Sequence, residues 1–343
     1  MQVFFSPTQQ RHAPQTFLLR GRLVDSPERR ERAEALLGAA REAGHRIHEP
    51  ARRGRAHVEA VHDAGYLAFL ETAHRAWRLL PNASAEITPN VHPNRHMSHL
   101  PDGVVGLAGW YLADTGTPIS EGTFEAALAA ADTALAATEA VLAGAPVAYA
   151  LCRPPGHHAY ADMAGGFCFL NNAAIAAEFA RTRMERVAVL DVDVHHGNGT
   201  QGIFYDRSDV LFVSLHADPA GYYPFYAGYR EETGRGAGAG FTLNLPLAHG
   251  SGDADYRLAL AKALRRIAEH APGLIVVSLG LDASLDDPLG VLKITTEGFG
   301  QIAHEVAGLG IPAVLVQEGG YLSPALGRNL TAFLAGFESA LRI

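Results

Sequence analysis

Two cysteines, Cys152 and Cys168, are all that this 343-residue chain contains, and they form no Cys-x-x-Cys pair. That argues against a disulfide framework and for two small buried thiols in a reducing compartment. No block of lysine and arginine occurs and the formal charge is −8, so the clustered basic footprint of a nucleic-acid surface is missing. A cationic substrate is compatible with that charge, which is also ordinary for soluble proteins. No stretch is apolar for long enough to span a bilayer without Gly, Pro or a charge intervening. The opening residues, Met1-Gln2-Val3-Phe4-Phe5-Ser6-Pro7, lack the basic start and long apolar core of a secretion signal. The expected location is the cytoplasm, and neither nucleic acid nor membrane is expected as a partner.

What is present is a large globular composition, 48% hydrophobic and 19% charged. Val3-Phe4-Phe5 reads as a first strand. Ser26-Pro27-Glu28 reads as a helix start, Ser capping and Pro first, with Ala33, Leu36, Leu37 and Ala40 inward. His57 to Trp77 reads as helical with an interruption at Gly65. Residues 81–118, rich in Pro, Asn, His and Gly, show no periodicity and are long for a connection, so they are expected to be functional or at an interface. Glu121 to Gly144 is Ala- and Leu-rich around most of its circumference, the pattern of a buried helix. Five apolar runs follow, Val147–Leu151, Val187–Leu190, Val210–Leu215, Leu274–Leu279 and Ala313–Val316. Helical segments such as Asn172–Arg183 and Tyr256–His270 lie between most of them. This alternation predicts an α/β fold with a mostly parallel sheet covered on both faces. With no repeat, low-complexity tract or linker, one domain over residues 1–343 is expected.

The most informative stretch is Asp191-Val192-Asp193-Val194-His195-His196-Gly197-Asn198-Gly199, directly after the apolar run Val187–Leu190. Extended-chain alternation puts Asp191, Asp193 and His195 on one face and the valines on the other. Solvated turns rarely follow so apolar a strand, and the carboxyl ends of parallel strands are where ligands bind. The other runs end similarly, leading into His157-His158, Ser214 and His216, Gly280-Leu281-Asp282, and Glu318-Gly319-Gly320-Tyr321. Asp193, His195 and Asp282 would supply one imidazole and two carboxylates, a catalytic divalent set, most often for zinc. His157-His158 on a Gly-turned loop suits proton transfer, and Tyr321 suits an oxyanion. Taken singly, a His-His pair is more often packing, Gly-Gly-Tyr a turn, and Asp282 a helix cap. Their convergence on one rim specifies metal-assisted hydrolysis of a carbonyl compound.

These segments, Arg153–Ala159, Gly165–Asn172, Asp191–Thr200, Ser214–His216, Gly280–Ala283 and Glu318–Tyr321, run in the order of the histone deacetylase family, which the chain resembles. It is most similar to the bacterial acetylpolyamine amidohydrolase and histone deacetylase-like amidohydrolase branch. The resemblance implies a single-domain three-layer α/β/α arginase/deacetylase-like fold with a mostly parallel eight-stranded sheet. It implies zinc, or Fe²⁺ on the same set, at Asp193, His195 and Asp282, and His158 as general base and acid with His157 as electrostatic companion. Asp191 would orient His157, and Asn198 would face His158. Many class I deacetylases have Asp where Asn198 stands, which implies a less basic His158 here. Tyr321 matches the transition-state tyrosine, Phe167 and Tyr223 the walls of the acyl tunnel, and Gly166 its floor. Asp191, Asp193, His195, Ser214 and Leu215 match a structural potassium site.

Arginase-like relatives with two manganese ions need carboxylates where Gly197 and Ser284 stand, so that reading is disfavoured. The 81–118 stretch falls where acetylpolyamine amidohydrolases carry an insertion, implying a homodimer with a restricted entrance for a small-molecule amide. A cationic chain needs carboxylates at that entrance. The N-terminal stretch Phe17-Leu18-Leu19-Arg20-Gly21-Arg22 is instead apolar and basic, and His96–Leu107 offers only Asp102. Three readings are therefore carried forward: a deacetylase of a small acetylated amine, a hydrolase of neutral or xenobiotic aryl or alkyl amides, and a protein acetyl-lysine deacetylase, which a narrow mouth disfavours. A metal-bound sensor has no need of Tyr321.

Overall fold

In a computed structural model, which describes residues 1–341, the chain forms ten strands and ten α-helices, alternating over residues 147–217 and from residue 242 onward. The strands are β1 (Gln2–Phe4), β2 (Thr16–Leu19), β3 (Arg22–Asp25), β4 (Arg46–His48), β5 (Val147–Ala150), β6 (Val187–Asp191), β7 (Val210–Ala217), β8 (Thr242–Leu247), β9 (Leu274–Leu279) and β10 (Ala313–Gln317). The helices are α1 (Arg30–Glu42), α2 (Ala56–Glu59), α3 (Ala64–Arg78), α4 (Val104–Tyr111), α5 (Thr123–Leu142), α6 (Asn172–Arg181), α7 (Asn198–Phe204), α8 (Asp253–His270), α9 (Thr296–Ala307) and α10 (Leu326–Leu341). Eight strands form one sheet in the order β4-β1-β5-β10-β9-β6-β7-β8, and β2 and β3 form a separate hairpin. Every pairing within the large sheet is parallel.

Strand alternation divides the core in two. Val187, Val189, Val276 and Val314 point to one face, under α3, α5 and α6. Ala188, Leu190, Val277 and Leu315 point to the other, under α1, α8, α9 and α10. A sheet buried on both faces needs strands apolar at every position, which is why these runs are continuous rather than alternating. The expected three-layer architecture is therefore present, and the sheet is parallel throughout.

Local boundaries differ where short-range signals compete. The first helix begins at Arg30, and Ser26 makes no capping bond. Glu28 is instead drawn into a buried ion pair with Arg32 and Arg153, so the turn before the helix serves the core. The 57–77 region breaks between Glu59 and Ala64, and Gly65 lies inside α3. Residues 81–118 contain the short helix α4.

Candidate active site

The four central strands β5, β10, β9 and β6 deliver their carboxyl ends to one place. After β6 the backbone leaves the ladder, yet the alternation persists through side chains. The Asp191 carboxylate accepts from the Asp193 amide at 3.1 Å, and Asp193 accepts from the His195 amide at 2.9 Å. Val192 and Val194 stay in the apolar core on the far side. Asp282, from the end of β9, is fixed by the Val194 amide at 3.0 Å.

The donor atoms of Asp193, His195 and Asp282 lie within 4.8 Å of one another. His195 Nδ1 is 3.2 Å from Asp193 Oδ1 and 3.2 Å from Asp282 Oδ2. Both carboxylates are fully buried, and burial together with the Asp193 charge raises the Asp282 pKa. Two buried carboxylates facing one imidazole constitute a donor set that a divalent cation satisfies, and one nitrogen with two oxygens suits zinc or Fe²⁺. A Cβ at Gly319 would lie 2.1 Å from Asp282 Oδ2, so only glycine lets the β10 loop approach this cluster.

The His157–His158 loop is held from behind by Glu318, which accepts from the Gly156 and His157 amides at 2.6 and 3.0 Å. His157 Nδ1 meets Asp191 Oδ2 at 2.9 Å. Burial opposes charge on His157, but Asp191, Asp193 and Glu318 outweigh it and push its pKa up to about 10. His158 is the reverse case. Burial, then its neighbours His157 and His195, hold it well below the usual imidazole value. Asn198 Oδ1 faces its Nδ1 at 2.6 Å, so Nδ1 carries the hydrogen and Nε2 keeps a free lone pair. Two adjacent imidazoles, 4.0 Å between centroids, are thereby split into one charged and one neutral group.

Tyr321 lines the same cavity as these groups, with Arg32 over its ring. Its amide donates to Asp287 at 2.7 Å. Burial raises the phenol pKa far above its usual value, so the hydroxyl stays protonated. The cavity encloses about 1000 Å³. Gly166, Phe167 and Tyr223 line it, and the Tyr223 ring meets His158 edge-on at 4.9 Å. Tyr222 stacks on His195 at 4.8 Å. At the matched potassium positions, Asp191 at the end of β6 and Ser214 within β7 are register partners, and both are fully buried with Leu215. Asp102 is exposed and does not line the cavity; the acid that does so from the 81–118 segment is Asp114. Asp114 carried no motif signal. Arg32 did have one, its i,i+4 spacing from Glu28, but the partner it reaches lies almost 290 residues away.

Comparison with known proteins agrees with this geometry. The histone deacetylase domain profile matches residues 25–337. The chain is 48% identical to an acetylpolyamine amidohydrolase of Burkholderia pseudomallei over the full length of both. It is 44% identical to that of Mycoplana ramosa, covering 98% of this chain and 99% of the relative. The crystal structure of an acetylpolyamine aminohydrolase from Burkholderia pseudomallei superposes with a TM-score of 0.97 at 47% identity, covering 99% of each chain. With nine-tenths of its length matched and a strand-end cluster of the expected kind, the chain belongs to the histone deacetylase family.

Proposed function

We propose that this chain is a metal-dependent amidohydrolase that releases acetate from a small acetylated amine. The relatives named above support the class of substrate. One observation carries the chemistry: a neutral imidazole, His158, and a protonated phenol, Tyr321, line the cavity that also receives Asp193, His195 and Asp282. Bound by those three residues, zinc or Fe²⁺ supplies a Lewis acid that polarises the substrate carbonyl and acidifies water. His158 Nε2 takes the proton of the attacking water and returns it to the leaving amine. Asn198 holds its tautomer, and His157, kept cationic by Asp191, stabilises negative charge developing nearby. The Tyr321 hydroxyl donates to the oxyanion. Phe167 and Tyr223 flank the acyl chain above Gly166. Potassium bound by oxygens of Asp191, Asp193, His195, Ser214 and Leu215 would brace the strand ends.

Residues 81–118 expose Val91, Met97 and Leu100, apolar surface that supports a homodimer formed by this segment. A monomer in gel filtration that readily deacetylates intact histones would overturn that part.

The mouth favours an uncharged amine over a polyamine. Phe17, Leu18, Leu19, Phe225 and Tyr226 line it together with Arg20, and Asp114 is its one carboxylate outside the metal set. Turnover of N-acetylputrescine against an acetylated aryl amine tests both levels. Hydrolysis of either supports the deacetylase, a clear preference for putrescine contradicts the uncharged mouth, and hydrolysis of neither contradicts the function.

A further inference from the structure

Residues 81–118 reach the tunnel chiefly through a single stitched edge. Just after α4, Ala113 donates to the Ala164 carbonyl at 2.7 Å and Ala164 donates to the Tyr111 carbonyl at 2.9 Å. This lays the segment beside the Gly165–Cys168 turn. Asp114 then gathers four donors. Its Oδ2 accepts from the Gly166 amide at 2.8 Å and the Tyr223 hydroxyl at 2.7 Å. Its Oδ1 accepts from the Gly116 amide at 2.8 Å and the Thr117 hydroxyl at 2.9 Å. Thr117 Oγ1 in turn accepts from the Phe167 amide at 3.0 Å. Both tunnel walls therefore hang on one carboxylate, Tyr223 by its hydroxyl and Phe167 through Gly166 and Thr117.

The wall that Asp114 holds is conformationally costly. Gly166 and Phe167 have φ of 53° and 68°. For a phenylalanine that region is disfavoured and persists only where neighbours over-determine it. A Cβ at Gly166 would lie 2.2 Å from the His158 ring, so this turn presses directly on the catalytic imidazole. An ionised carboxylate offers about four acceptor sites, and all four are taken by the protein. None is left for a substrate ammonium.

We propose that Asp114 is a positioning residue that latches Tyr223 and the Gly166–Phe167 turn together, and so sets the tunnel width that selects a short acyl group. The proposal rests on the deacetylase reading. An asparagine has a single acceptor oxygen, so Asp114→Asn strands one pair of donors, while Tyr223→Phe removes only the hydroxyl tie and keeps the wall.

Both variants and their combination are assayed with the acetyl and butyryl amides of one neutral aryl amine and with N-acetylputrescine. Each single variant is expected to raise KM for the acetyl amide about tenfold with kcat within threefold, the scale of a sub-ångström misplacement. The butyryl-to-acetyl ratio of kcat/KM should rise, the neutral and cationic acetyl amides should lose equally, and the double variant should be no worse than Asp114→Asn. A loss confined to N-acetylputrescine overturns the latch in favour of an ammonium anchor, and so do additive losses or a fall in kcat at constant KM. The same cycle read on urea unfolding needs no substrate, and non-additive midpoints are expected. Wild-type protein inactive on all three amides sinks the deacetylase reading, whereas additive unfolding midpoints sink the latch on their own.

Discussion

The guanidinium of Arg32 lies 4.9 Å from the centroid of the Tyr321 ring and donates to the carbonyls of Glu318 and Gly320 on either side of Gly319, at 2.7 and 2.5 Å. One buried arginine on α1 thus grips the loop that presents the phenol. Its charge is balanced by Glu28 at 2.7 Å, which also pairs with Arg153 at 2.8 Å. Removing one member of a buried pair leaves the other short of a partner. Arg32→Ala should cost about 3–5 kcal/mol in urea unfolding, and kcat should fall more than KM changes because the Tyr321 loop loosens. Unchanged stability would contradict the clamp.

Tyr321→Phe removes only a hydroxyl. Loss of a single oxyanion donor costs about 10²–10³ in kcat. The variant should lose that much turnover while metal content per chain, measured by atomic absorption, is unchanged. A variant that keeps wild-type turnover would mean the phenol is structural.

Asn198→Asp places a carboxylate against His158 Nδ1, which Asn198 now meets at 2.6 Å. Burial, His157 and His195 hold the His158 pKa low. An opposite charge within hydrogen-bond reach raises a histidine by about one unit or more. The base works in its neutral form, so the acid limb of kcat/KM against pH should move to higher pH. A shift to lower pH would be incompatible with His158 as base.

Besides His158 and His196, three histidines away from the candidate metal ligands are buried in neutral form. Burial lowers His12 to about 3 and His62 and His216 each to about 4, all from 6.5. The unfolded chain therefore takes up their protons first as pH falls below 6.5. Stability is complete above that value and drains away towards pH 4. Each group contributes about 1.4 kcal/mol per pH unit across its window, while the buried Asp287 and Glu318, both raised to about 7, act in the opposite sense. Between pH 6.5 and 4.5, His62→Gln should lose less stability in urea unfolding than wild type does. Equal losses in variant and wild type would contradict neutral burial of His62.

Much of the fold was legible because a doubly covered parallel sheet writes continuous apolar runs, and Val187–Leu190 or Leu274–Leu279 admit few other placements. The metal and base candidates were legible for a related reason. They directly follow those runs, so locating a strand end locates its polar residues. The short edge strands Arg46–His48 and Thr242–Leu247 were missed, the first being too brief and the second carrying Asn244 and Pro246 within it. Arg32 and Asp114 were missed because their roles depend on partners remote in sequence, the Tyr321 loop and Tyr223. Ser26 illustrates the opposite failure: a good capping residue is overridden when its neighbour Glu28 is needed in the interior.

The central claim is that Asp193, His195 and Asp282 hold one catalytic ion. Titrating zinc into chelator-stripped protein while following hydrolysis of an acetylated aryl amine tests it most directly. The rate should climb linearly and break at one ion per chain, and Asp282→Ala should show no such rise. Full activity in the stripped protein, or an Asp282→Ala titration that matches wild type, would contradict it.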